Sequence, residues 1–206
     1  TIVTLTAVAD ATSTFAGWTG GGCVGTGPCT VNVNNAILVN AQFDPRQYQL
    51  LVQRAGTGTG VVSSLPTGIN CGADCGQTYA AGTAVTLTAT PVGLSTFTGW
   101  SGACTGTGPC VVTMNAAAAV TATFTINSYP LTIVPGGTGS GTVTSSPAGI
   151  TCGADCTESY PATSLVALTA AADTGSITVN TPAREAGTWR NPVIQSQTVT
   201  MLAASA

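Results

Sequence analysis

Short runs of alternating apolar and polar residues follow one another along this chain, and many of them are β-branched, a pattern that suits pleated sheet better than helix. Over residues 2–7, Val3, Leu5 and Ala7 alternate with Ile2, Thr4 and Thr6, which predicts a strand with the first set on its core face. Residues 30–33 and 37–43 predict two further strands. Residues 48–53 and 61–64 flank Gly56-Thr57-Gly58-Thr59-Gly60 and predict a hairpin about a glycine-rich turn. Strands over 84–90, 110–114 and 120–124 follow, and the alanine run 116–119 is long enough for one helical turn but not for a stable helix. Residues 129–134 and 143–146, about the turn at Gly136-Gly137, restate the hairpin. The prediction is an all-β chain.

The runs recur at a fixed distance, and internal repeats decide a fold before any motif does. Tyr48 and Tyr129, Cys71 and Cys152, Cys75 and Cys156, and Tyr79 and Tyr160 are each 81 apart. So are Cys23 and Cys104, Cys29 and Cys110, and Phe43 and Phe124. Residues 48–124 hold the pattern whole, 1–43 hold its second half, and 129–206 hold its first half followed by a divergent tail. In that tail Trp189 and Thr198-Val199-Thr200-Met201 echo the repeat without its cysteine pair. The polar stretches 44–47 and 126–128 are the expected linkers, which gives tandem small β-rich domains.

Composition narrows what such domains could do. Charged residues make up 5% of the 206, against roughly 25% in an ordinary soluble domain, and Lys and His are absent. A net charge of −3 offers no basic footprint for nucleic acid and no cationic amphipathic face, and no run of about 18 apolar residues could span a bilayer as a helix. Nucleic acid and membrane insertion are therefore not expected. No charged and apolar leader opens the chain, so a secreted form would already have lost its signal.

Without His, the Ser-His-Asp and Cys-His arrangements and Cys-x-x-Cys-His haem attachment fall away. Asp74 and Asp155 occupy one position in two copies and suit turns better than a carboxylate pair. Leu65-Pro66-Thr67-Gly68 is one residue short of a sortase sorting signal and lies mid-chain, a coincidence. No catalytic, cofactor or metal residues are assigned.

Eight cysteines form four close pairs, Cys23/Cys29, Cys71/Cys75, Cys104/Cys110 and Cys152/Cys156. Bonding between pairs would strand thiols in the two half copies, whereas local bonding strands none. Four-thiolate zinc is the competing reading, although three or five intervening residues is not its usual spacing. Disulfides point outside the cytoplasm. Trp18, Phe97, Trp100 and Phe124 are the expected core anchors, since an aromatic at one position per repeat usually packs inside; the alternative role for Trp18 and Trp100 is sugar stacking.

The order Gly-Ile-x-Cys-Gly-x-x-Cys, Val-Thr-Leu-Thr-Ala, Phe-x-Gly-Trp, Cys, Val-Thr-Met and Val-Thr-Ala-Thr-Phe, read over residues 68–124, resembles the divergent internalin B-repeat family. The resemblance runs to about residue 176. It implies β-grasp-like or sandwich-like modules in tandem, in secreted or surface proteins of bacteria, with a stalk, adhesion or matrix role and no catalytic residues. The expected function is a structural subunit of an extracellular fibre or stalk; the alternative is a module binding glycans or host surfaces. Because the first copy lacks what the third retains, copies of the chain are expected to join head to tail. The rival is that residues 177–206 complete the third copy. With no Lys, no Lys-Asn isopeptide bond could reinforce such a fibre.

Overall fold

The computed structural model describes residues 1–178 and 197–203, which form β structure without a helix among the described residues. The chain divides into one unit over residues 1–125 and a second from 126 onward.

The first copy supplies β1 (Ile2–Leu5), β2 (Ser13–Thr19), β3 (Cys29–Asn32) and β4 (Asn40–Pro45). The complete copy supplies β5 (Gln47–Ala55), β6 (Thr59–Leu65), β7 (Asn70–Cys71), β8 (Gly76–Ala80), β9 (Ala84–Val92), β10 (Ser95–Gly102), β11 (Cys110–Thr113) and β12 (Ala118–Ile126). Its strands form two sheets, in the orders β10-β12-β5-β8 and β11-β9-β6-β7. Both contribute to one core of Leu50, Val52, Val62, Val85, Leu87, Trp100, Val112, Val120 and Phe124, with Phe97 half-buried against it. This is the sandwich form of the expected fold.

The predicted hairpin is corrected by this topology. β5 pairs with β8 and β6 with β9, so the glycine-rich turn carries the chain from one sheet to the other. Leu50, Val52 and Val62 are all buried, which requires their strands to face one another across the core. Closure comes from β12, which runs parallel to β5 with Val120 opposite Val52. Across the sandwich, the Phe124 ring fills the space a Cβ on Gly60 would take, and a Cβ on Gly56 would collide with the Phe124 carbonyl.

Three further expectations change. Asp44 and Pro45 belong to β4 and Gln47 to β5, so 44–47 is mostly strand instead of a polar linker, and it lies inside the unit over residues 1–125. Arg46 between them donates its N–H to Thr12 O at 2.8 Å and accepts from Ala81 N–H at 2.7 Å. The alanine run enters β12 instead of turning as helix. Val3, placed on the core face, is 37% exposed: the first copy consists of two-stranded sheets, β1-β3 and β2-β4, and among the described residues no strand takes the places of β5 and β6 there.

The third copy supplies β13 (Ser128–Gly137), β14 (Gly141–Ser146), β15 (Thr151–Cys152), β16 (Thr157–Pro161), β17 (Ala167–Ala172), β18 (Ser176–Thr178) and β19 (Gln197–Ala203). The tail strand β19 lies between β13, to which it is parallel, and β18, to which it is antiparallel, as β12 lies between β5, to which it is parallel, and β10. The third copy is thus more than a first half: its tail fills the closing-strand position. Among the described residues it has no counterpart of β11, and Trp189 lies outside them.

Candidate functional site

The first and complete copies build their tryptophan-bearing cysteine loops in the same way. In β10, Gly99 holds φ at +149°, close to the carbonyl of Gly106, which accepts from Trp100 N–H at 2.7 Å. Gly17 repeats this with φ +139° and a 2.9 Å bond from Trp18 N–H to Gly25 O. A side chain at either glycine would be strained by the positive φ. The indole N–H groups then donate across the loop, Trp100 Nε1 to Gly108 O at 3.0 Å and Trp18 Nε1 to Gly27 O at 2.8 Å.

Disulfides close the loops. Cys23–Cys29 and Cys104–Cys110 have Cα separations of 5.5 and 5.6 Å; Cys71–Cys75 and Cys152–Cys156 have 4.2 Å. No cysteine is free. Phe97 meets Trp100 edge to face at 4.9 Å and Phe124 at 5.5 Å; Phe15 meets Trp18 at 5.0 Å and Phe43 at 5.2 Å. Trp100 is 6% exposed and Trp18 8%, so neither ring offers a face to a sugar.

Asp74 and Asp155 stand in separate units as turn carboxylates, accepting from Gly76 N–H and Thr157 N–H at 3.2 Å. A hydroxyl network was missed in the sequence. Ser64 Oγ donates to Pro66 O at 2.8 Å and accepts from Ile69 N–H at 2.9 Å, with Tyr79 OH 2.8 Å away. Ser145, Pro147, Ile150 and Tyr160 repeat it. The 81-residue spacing of Ser64 and Ser145 beside that of the tyrosines was the available signal. Arg54 Nη1 donates to Gly60 O at 2.8 Å and borders an open groove of about 530 Å³ that Phe124 also lines.

A family model for the divergent InlB B-repeat domain matches residues 1–47 and 53–128. The chain belongs to that family. Among curated proteins and solved structures there is no match. Membership makes the chain a bacterial surface repeat module, of a kind not typically enzymatic. The family match ends at residue 128, and the third copy follows the B-repeat pattern through its period and its strand pairing.

Proposed function

We propose that this B-repeat chain is a load-bearing unit of an extracellular bacterial stalk or fibre, which holds something at a distance rather than converting or capturing it. The observation that carries the reading is the parallel pairing of the first and last strands of the complete copy, Leu50 to Ala55 beside Ala118 to Thr123. Tension along the chain draws β5 toward its N-terminus and β12 toward its C-terminus. Parallel neighbours are then pulled in opposite directions along their axes, and their hydrogen bonds load together in shear instead of parting one after another. β13 and β19 repeat the geometry.

A site outside the cytoplasm agrees with the family and with four disulfides, which persist in oxidising compartments. Glycan capture through Trp18 and Trp100 has little support, because both rings are buried. Single-molecule pulling tests the load-bearing reading. Handles at residues 47 and 126 should demand a severalfold higher force than handles at 47 and 80, the directly paired ends of β5 and β8, which peel apart. Equal forces in the two geometries would overturn it.

A further inference from the structure

We infer that the first and complete copies are spliced into one stiff body through a single residue, Arg46, with no flexible linker between them. This goes beyond the load-bearing reading, which concerns strength within a copy and not bending between copies. Ladder pairing within the first copy runs to the last residue of β4, where Pro45 lies opposite Ser13. Pairing within the complete copy begins at the first residue of β5, where Gln47 lies opposite Ala80. Only Arg46 stands between the two ladders.

A joint of one residue has two soft dihedrals, and it bends freely only if the peptide groups on either side of it are free. Here both are held, one by each copy. Arg46 N–H donates to Thr12 O of the first copy at 2.8 Å, and the Arg46 carbonyl accepts from Ala81 N–H of the complete copy at 2.7 Å. The side chain adds a third bond, from Nε to Ser13 O at 3.0 Å. A bend large enough to swing one copy against the other therefore breaks at least one of these bonds. Ordinary domain boundaries are the reverse, exposed stretches across which few contacts pass.

The partners are themselves fixed, which turns three hydrogen bonds into a lock. On the first copy's side, Asp10 Oδ1 accepts from the Thr12 N–H at 3.0 Å and from the Thr12 hydroxyl at 2.9 Å, and so holds the turn that presents Thr12 O and Ser13 O. On the other side, Gly82 N–H donates to the carbonyl of the fully buried Met114 at 3.0 Å, and Met114 N–H donates to Thr83 O at 2.9 Å, so the turn that carries Ala81 is stapled to the core. The carbonyl half of the joint recurs one period later, where Ala162 N–H donates to Asn127 O at 2.7 Å and Ser128 lies opposite Pro161. Arg46 gives way to Asn127 in that period, so the guanidinium bond belongs to the first joint.

Proteolysis can read the joint, because a chain with no Lys offers trypsin only its 4 Arg and the Arg46 side chain is exposed. Cleavage needs the backbone to open, so on the full-length native chain the bond after Arg46 should be cut about a hundredfold or more slowly than in a free peptide of residues 40–53. Inserting Gly-Gly between Arg46 and Gln47 keeps the cleavage site and should restore most of that rate, while the amides of residues 118–124 stay protected. NMR relaxation of the wild-type chain should give the amides of residues 13–45 and 47–124 one rotational correlation time, and the insertion should split it into two. Cutting after Arg46 at the peptide's rate, separate tumbling of the two copies in the wild-type chain, or an insertion that moves neither readout would overturn the inference. None of these failures touches the load-bearing reading, whose pulling handles all lie on β5, β8 and β12.

Discussion

The first and complete copies share a strand pattern, a tryptophan loop and a disulfide, and differ in whether a β5-β6 segment covers them. Trp18 and Trp100 are buried in both settings, because each indole folds over its own cysteine loop. Val3 and Phe43 are open where Val85 and Phe124 are sealed. One repeat therefore contains two kinds of core residue: those a half repeat satisfies by itself and those that need the other half.

The largest test of that division is a pair of truncations. Phe124→Ala should cost about 3–5 kcal/mol, the usual range for a fully buried Phe. Phe43→Ala, at the matching position, should cost about 1 kcal/mol in the monomer, since Phe43 is 42% exposed and keeps its contact with Phe15. Chemical denaturation followed separately in each copy would show equal losses if the first copy were covered after all.

The disulfide loops should give smaller and more equal effects. Replacing Cys104 and Cys110 by Ala should cost about 2 kcal/mol on the chain-entropy argument for so short a loop, and replacing Cys23 and Cys29 about the same. A much larger loss in one copy would mean that its loop holds more than its own tryptophan. Tyr79→Phe and Tyr160→Phe remove matched hydroxyls from matched serines, and each should cost about 1 kcal/mol by denaturation. Unequal losses would separate the second and third copies.

The smallest effect is one of pH. Bonds from the Thr12 hydroxyl, and then from Ser13 and the Thr12 N–H, hold the Asp10 carboxyl below its ordinary value. A lowered folded value contributes stability above the unfolded pKa, and that contribution is lost as pH falls through the folded one. Asp10 is fully exposed, so acid titration of the first copy should show a slight loss that Asp10→Asn removes.

Much of this was legible in the sequence. Alternation gave most strands, and the 81-residue period joined Cys23 to Cys104 and Tyr79 to Tyr160 as equivalents. Strand partners were not legible, since a glycine-rich turn between two apolar runs fits a hairpin and a crossing between sheets equally well. β5 and β12 pair across some seventy residues, a contact no local pattern records. The exposure of Val3 depends on what is absent around it, and β19 was obscured because a backbone ladder forms without the family's side chains.

Amide hydrogen exchange on the dilute, monomeric chain tests most directly the claim that the first copy lacks the cover the complete copy has. Amides over residues 118–124 that face β5 should exchange only on global unfolding, and their equivalents over 37–43 should exchange about a hundredfold faster or more, through local opening. Equal protection of the two stretches would contradict the account.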